Sequence, residues 1–301
     1  MDAINVKSLS KSYDGQPFAL RDIDLSIPQG EIFGFLGPNG SGKTTTVRLL
    51  NGILTPTSGE ASVMGSSIYT DAIKIHSFCG VMTETAASYE NLTGYENLQF
   101  FGKMYDLSGK KLKERCMELL KGLELYEARD KKVKNYSTGM KKKISLARSL
   151  IHRPKVLFLD EPTSGLDPEA AANVTNLISG LAKQDGVTVF LCTHQLKYAE
   201  DICTLYGFIH NGQLLGFGTF NKLLEQKNSG LYLELRGRNI PRLHSNEELS
   251  SGRCRVAIKN DEDVSRIITE IVSMGGSIYE AKQIHWSLED LYFSFEKGES
   301  K

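Results

Sequence analysis

The sequence predicts an α/β fold: a parallel sheet with crossover helices, preceded by antiparallel strands and followed by a small α+β unit. Three apolar runs, at 32–36, 156–159 and 187–192, carry this prediction. Each run is short and unbroken, which is typical of a strand buried on both faces. The segments between the runs are long enough for helices, and strands joined in this way lie parallel in one sheet.

The flanking segments complete the first domain, which we place at 1–228. Residues 3–27 alternate in hydrophobicity around the Asp-Gly pair at 14–15, and this pattern indicates an N-terminal antiparallel β-subdomain. Apolar residues recur at helical spacing from about 93 to 152, which predicts a helical insertion into the sheet domain. The Asn-Gly pair at 211–212 lies between two apolar runs and predicts a second hairpin.

A second unit is predicted over 229–301, as a small α+β accessory domain. The amphipathic stretch 261–274 indicates a helix, with Asp261 as its expected N-cap. The polar stretch 239–252 is expected to be a loop. A final short helix is expected at 288–295.

Composition narrows the classes of function. The chain has 301 residues, and Lys+Arg and Asp+Glu each number 36, so the net charge is zero and we expect no nucleic-acid partner. The five cysteines are widely spaced without a CxxC pair, which argues against a disulfide framework or a zinc site and fits a reducing compartment. We expect neither a signal peptide nor a membrane-spanning helix, so a membrane role would require a partner.

The strongest chemical signal is the segment 37–44, which matches the phosphate-binding pattern G-x-x-x-x-G-K-[ST] between a predicted strand and a helix. Successive backbone N–H groups and the helix start would surround the phosphates of a nucleotide. Lys43 is expected to reach the β- and γ-phosphates, and the Thr44 hydroxyl to ligate Mg²⁺. The residues predicted to bind the nucleotide here are Gly37, Pro38, Asn39, Gly40, Ser41, Gly42, Lys43, Thr44 and Thr45.

Two acids follow the buried strand at 156–159. Its carboxyl end is the edge at which ligands of open α/β sheets bind. Asp160 is predicted to join the Mg²⁺ shell, directly or through water, and Glu161 to act as the general base that polarises the attacking water. Together with the phosphate loop, this arrangement makes the predicted fold a P-loop NTPase cassette.

Six landmarks in their order along residues 3–226 resemble those of the ATP-binding-cassette ATPases. They are an adenine-stacking aromatic at Tyr13, the P-loop at 37–45, the signature at 136–140, the acids at 160–161, the D-loop at 164–167 and the switch histidine at His194. In that family two copies enclose two ATP molecules. The resemblance therefore implies that Ser137 and the Gly139 N–H contact the γ-phosphate held by a second ATP-binding subunit, identical or closely related. It also implies that His194 contacts the γ-phosphate or the attacking water.

The sequence departs from the family pattern at three positions. The signature has Thr138 where the family has Gly and Met140 where it has Gln, although Ser137 is retained. Glu84 stands where the family has a Gln that senses the metal and the water. A carboxylate still offers Mg²⁺ an oxygen ligand, so Glu84 is predicted to report the nucleotide state to a partner.

The stretches 136–171 and 287–293 resemble export ATPases of the daunorubicin-resistance type. The resemblance implies an ATP-binding and ATP-hydrolysing subunit that powers a membrane transporter, an exporter, through a separate integral-membrane permease. Its cofactors would be ATP and Mg²⁺. It would lie peripherally at the cytoplasmic face of the cell membrane, with the segment 83–93 gripping the permease.

Three alternatives stay open at this point. A soluble cassette ATPase could act on a ribosome or DNA, although such chains usually carry two cassettes or basic arms. A P-loop GTPase or kinase is a second alternative, but a guanine-reading Asn-Lys-x-Asp is broken at its last position in 221–224. A third is a regulator whose C-terminal unit binds a small ligand.

Overall fold

The structure is a computed structural model and describes residues 2–14, 18–83, 88–227, 231–241, 246–250, 252–258, 260–284 and 286–298. The chain divides into two compact units, Met1–Thr219 and Phe220–Lys301. The sequence set the division near residue 228. The nine residues 220–228 include a helix that packs within the second unit.

An antiparallel sheet opens the first unit, in the order β2-β1-β4-β5. Its strands are β1 (Asp2–Ser12), β2 (Phe18–Pro28), β4 (Ser58–Val63) and β5 (Ser66–Ser67). Strands β1 and β2 pair from Asp2 with Pro28 to Ser12 with Phe18, which is the predicted hairpin. Gly15 of the predicted turn lies outside the described residues.

The central sheet has six strands in the order β10-β9-β3-β8-β7-β6. They are β3 (Ile32–Leu36), β6 (Cys79–Met82), β7 (Val156–Asp160), β8 (Thr188–Thr193), β9 (Leu205–His210) and β10 (Gln213–Gly218). All neighbours are parallel except β9 and β10, which the Asn-Gly turn joins as predicted. Every residue of β3, β7 and β8 is buried, and the rings of Phe33 and Phe190 meet edge-on at 5.0 Å between centroids. The predicted α/β cassette with a parallel core is confirmed.

Helices cover this sheet and fill the predicted insertion. They are α1 (Lys43–Leu50), α2 (Ala72–Phe78), α3 (Gly94–Met104), α4 (Gly109–Gly122), α5 (Thr138–Ser149), α6 (Pro168–Asp185) and α7 (Leu196–Ile202). Thr93 caps α3 through a capping box with Glu96, which satisfies two backbone N–H groups that the helix leaves free. Helices α3, α4 and α5 pack against one another. Each contributes buried apolar residues, which include Leu98, Leu112, Leu120 and Ile144.

The second unit has its own sheet, in the order β12-β13-β11-β14. Its elements are α8 (Phe220–Gln226), β11 (Leu231–Arg238), β12 (Asn246–Ser250), β13 (Arg253–Ile258), α9 (Asp261–Ser273), β14 (Ser277–Ile284) and α10 (Leu288–Gly298). Leu233, Leu235 and Val256 form a core with Ile267 and Ile271 of α9.

Two predictions about this unit are wrong. The N-cap of α9 is Asn260, whose Oδ1 accepts the Asp263 N–H at 3.1 Å, and Asp261 is the first helical residue. The stretch 239–252 is not all loop, because β12 pairs with β13 there. Pairing with the next strand, β13, outweighs the low strand propensity of a polar segment.

Candidate functional site

The phosphate loop lies between the end of β3 and the start of α1. Gly40 and Gly42 have φ of 81° and 111°, values that favour glycine. A Cβ added at Gly37 would lie 2.1 Å from the Ile209 carbonyl oxygen, and one at Gly42 would lie 2.7 Å from the Ala19 carbonyl oxygen. The loop therefore holds this curved shape only with glycine at these positions.

A cavity of about 160 Å³ opens on this loop. Its lining residues are Ala19, Asn39, Gly40, Gly42, Lys43, Thr44, Thr45, Asp160 and Glu161. It brings the predicted phosphate loop and both predicted acids to one place, at the start of a helix. A larger cavity of about 680 Å³ near the first residues of β7 and β8 contains none of the predicted site residues.

Lys43 and Thr44 are held inside the site. The Lys43 Nζ donates to the carbonyl oxygens of Gly37 at 2.6 Å and of Pro38 at 2.9 Å, and the side chain is buried. The Thr44 Oγ1 donates to the Asp160 Oδ2 at 3.0 Å, which joins two of the three residues predicted to ligate Mg²⁺. A hydroxyl beside a carboxylate is an oxygen donor set that suits Mg²⁺, so the residues present fit this ion.

Glu161 is buried at the end of β7 and its backbone has φ of 49°, an uncommon value for a residue with a Cβ. Its Oε2 accepts the Thr193 hydroxyl at 2.9 Å. Its Oε1 accepts the His194 backbone N–H at 2.8 Å, and the His194 Nδ1 lies 2.6 Å from the same oxygen. The carboxylate is thus oriented by the end of the neighbouring strand β8. Non-glycine residues with strained backbones cluster at functional sites.

The signature segment begins α5. Ser137 is the N-cap, and its Oγ accepts the Met140 N–H at 3.2 Å. Among the described residues that line the phosphate cavity, none comes from the signature. Ser137 and Gly139 are thus not brought to the nucleotide site of their own chain.

The signature helix contacts the D-loop of the same chain. The Lys142 Nζ donates to the Ser164 carbonyl oxygen at 3.0 Å. A Cβ at Gly139 would lie 3.3 Å from the Leu166 side chain, and Gly165 faces the Thr138 methyl group. The departure from the family pattern at Thr138 is therefore accommodated beside the D-loop.

A second polar contact joins α5 to α6. The Lys143 Nζ lies 2.7 Å from Glu124 Oε2, and the Asn173 Nδ2 donates to the other Glu124 oxygen at 3.0 Å. The Lys143 ammonium holds the pKa of the Glu124 carboxyl below its usual range. The helix that carries the signature is thus fastened to the helix that follows the D-loop.

Tyr13 is not among the residues that line the phosphate cavity. Tyr13 follows β1, is 40% exposed, and has the Lys11 Nζ 5.2 Å from its ring centroid, so the adenine-stacking role stays a prediction. Glu84 lies outside the described residues, and its role as a metal ligand stays a prediction too.

The sequence missed the partners that orient the predicted residues. The motif assigns no role to Thr193, which precedes the switch histidine. An apolar strand that ends in Thr-His, next to a strand that ends in two acids, is the pattern that could have indicated it. Lys142 and Glu124 gave no signal, because surface lysines and glutamates usually form solvated helix faces.

Comparisons with known proteins point to one family. Residues 20–164 match the family model described as ABC transporter. ABC transporter A family member 12 of Arabidopsis thaliana is 40% identical over 233 residues, and the chain spans 25% of that protein's length. The daunorubicin/doxorubicin resistance ATP-binding protein DrrA of Streptomyces peucetius is 35% identical over 269 residues, which are 89% of this chain and 81% of that protein.

A solved dimeric structure of a bacterial ABC transporter cassette has a similar fold. It is 26% identical to the chain, with a TM-score of 0.67, and the match covers 72% of this chain and 98% of that one. The P-loop, the paired acids and the signature all lie within residues 20–164, which the family model matches. The predicted resemblance is confirmed, and the chain belongs to the ABC transporter family as an ATP-binding cassette.

Proposed function

We propose that this chain binds Mg-ATP, hydrolyses it, and thereby powers a membrane transporter through a separate permease. The observation that carries the proposal is the meeting of Lys43, Thr44 and Asp160 with the restrained Glu161 carboxylate at one cavity. Phosphates, a divalent cation and an attacking water each find a suitable group there.

The chemical step needs little more than positioning and charge. Glu161 takes a proton from water while the water oxygen bonds to the γ-phosphorus. The bond from that phosphorus to the β–γ bridging oxygen breaks, and ADP and inorganic phosphate leave. Lys43 exchanges its loop carbonyl partners for phosphate oxygens. When bound, Mg²⁺ held by Thr44 and Asp160 neutralises phosphate charge. Glu84 is proposed as a further oxygen ligand.

A second ATP-binding subunit completes each site. Ser137 and the Gly139 N–H are proposed to contact the γ-phosphate held by the other copy, where a hydroxyl and a helix N-terminus stabilise the transferring group. The absence of signature residues from the described lining of their own chain's cavity supports this assignment. Tyr13 is proposed to stack on adenine, and His194 to contact the γ-phosphate or the water.

The proposed permease contact is the segment 83–93, next to the helical insertion. Tyr89, Phe100 and Met104 are 51%, 41% and 66% exposed, and the Tyr89 and Phe100 rings meet at 4.8 Å between centroids. Adjacent exposed aromatic residues are typical of protein interfaces. No helix in the described part of the chain has both the length and the apolar content to cross a bilayer. We place the chain at the cytoplasmic face of the membrane, and DrrA's role in drug resistance supports export.

Two variants test this function. Lys43→Ala should abolish ATP hydrolysis. Glu161→Gln should still bind ATP, hydrolyse it very slowly and accumulate as a closed dimer in gel filtration with Mg-ATP. Turnover at the wild-type rate in Glu161→Gln would remove Glu161 from the base role. Failure to co-purify with any integral-membrane protein from its own cells would favour the soluble alternative.

A further inference from the structure

We propose that the C-terminal units of two copies of this chain join through β14, each strand extending the other copy's sheet. The four-stranded sheets would then form one continuous sheet of eight strands. This association goes beyond the nucleotide-dependent pairing of the cassettes, because it needs no ATP.

The first observation is that β14 is an open edge. It pairs with β11 on one side, and no other strand that the structure describes pairs with it. It is eight residues long and contains no proline. Glu280, Ala281 and Lys282 are exposed, and Tyr279 is 61% exposed. A long exposed edge carries a row of unpaired backbone N–H and C=O groups that can bind another strand.

The second observation is that β14 is complementary to itself in one antiparallel register. Along a strand, every second residue directs its backbone N–H and C=O groups toward a given neighbouring strand. A symmetric antiparallel pair must therefore place one residue directly opposite the same residue of the second copy. Centring on Glu280 or on Lys282 would oppose like charges, which destabilises a sheet. Centring on Ala281 places each Glu280 opposite Lys282 of the second copy, and both residues lie in 280–284, where β14 pairs with β11 without a register shift.

The same register continues a pattern of charges that already exists within one copy. Glu234 of β11 lies opposite Lys282, and Arg236 lies opposite Glu280, whose Oε2 it contacts at 3.1 Å. Across the joined sheets, one row of side chains would therefore begin with Glu234 and Lys282 of the first copy. It would continue with Glu280 and Arg236 of the second copy. Every neighbouring pair in that row has opposite charge. This complementarity of the strand with itself identifies a second copy, rather than an unrelated strand, as the partner.

The test is a disulfide at the centre of the register, formed in the full chain without nucleotide. In the Ala281→Cys variant, the introduced cysteines of the two copies would lie opposite each other. Facing residues of antiparallel strands have Cα atoms about 4.5 to 5.5 Å apart, within the range that a disulfide spans. The five native cysteines are buried and supply no exposed competing thiol. Glu270→Cys, exposed on α9 of the same unit, is the matched control.

Mild oxidation should convert Ala281→Cys to a covalent dimer while Glu270→Cys stays monomeric on a non-reducing gel. Equal yields from the two variants would overturn the proposal. Adding Lys43→Ala to the Ala281→Cys chain should not change the yield of covalent dimer. A failure of the strand pairing can therefore be told apart from a failure of the proposed ATP hydrolysis.

Charge reversal tests the register itself. In the Ala281→Cys background, Glu280→Lys alone or Lys282→Glu alone turns two attractive pairs into repulsive ones, which should weaken association about tenfold. Mixing the two variants restores opposite charges at both pairs, so the mixed dimer should form in preference to either parent dimer. A variant that had merely lost its fold would not recover on mixing. No gain on mixing would overturn the Ala281 register.

Discussion

The contact between the signature helix and the D-loop gives the sharpest prediction about catalysis. Lys142→Met should slow hydrolysis without weakening the binding of ATP to a single chain. The Lys142 Nζ donates to the Ser164 carbonyl oxygen at 3.0 Å, outside the phosphate cavity of its own chain. The change therefore leaves Lys43 and Thr44 untouched and alters how the D-loop is positioned relative to the signature.

The expected magnitude follows from this one hydrogen bond. A hydrogen bond to a charged donor contributes about 1.5 to 3 kcal/mol, and partial solvent access lowers this to about 1 to 2 kcal/mol. If losing this hydrogen bond raises the activation free energy of hydrolysis by that amount, hydrolysis should slow about 5- to 30-fold. Lys142→Arg keeps the charge and the donor and should recover most of the rate.

The assay is steady-state phosphate release over a range of ATP concentrations. Lys141→Met is the matched control, because Lys141 lies on the same helix and pairs instead with the exposed Glu90 at 2.7 Å. We expect kcat to fall in Lys142→Met and to change little in Lys141→Met. If both variants hydrolyse ATP at the same rate, the signature helix does not position the D-loop through Lys142.

Three further predictions concern individual groups. Gly37→Ala should abolish nucleotide binding in a fluorescence titration, because its Cβ would lie 2.1 Å from the Ile209 carbonyl oxygen, whereas Gly180→Ala, with open space around it, should bind normally. Asp167→Ala removes the N-cap of α6, whose Oδ1 accepts the Ala170 N–H at 2.9 Å, and should cost about 1 kcal/mol of stability in urea unfolding; an unchanged midpoint would contradict this. Burial raises the pKa of Cys116 to about 11 and the pKa values of Cys79 and Cys203 further, so little thiolate exists at pH 8. Iodoacetamide should therefore label the native cysteines only in denaturant, and fast labelling of the native chain, read by mass spectrometry, would disagree.

The sequence could predict the elements whose information is local. Unbroken apolar runs mark β3, β7 and β8, and the glycine pattern marks the phosphate loop, because no other residue fits the curvature at Gly37 and Gly42. The residue at which a helix begins is not always decided by the sequence pattern. Asn260 and Asp261 are adjacent and both are good N-caps, and the backbone rather than the pattern decides between them.

What the sequence could not predict depends on pairing and packing between elements. Strand β12 is polar and forms because β13 offers it a partner. The division between the units falls before α8 and not after it, because α8 packs with α10. Just beyond α8, the Lys227 Nζ lies 4.2 Å from the centroid of the Phe295 ring of α10. Thr193 meets Glu161 only because β7 and β8 are neighbours in the sheet.

The central claim is that two chains share each ATP. The most direct measurement is a structure of Glu161→Gln loaded with Mg-ATP, in which the distance from each Ser137 Oγ to the nearest γ-phosphate is read. We predict a hydrogen-bond distance of about 3 Å to the γ-phosphate held by Lys43 of the other copy. A Ser137 that contacts the nucleotide of its own chain, or none at all, would contradict the claim.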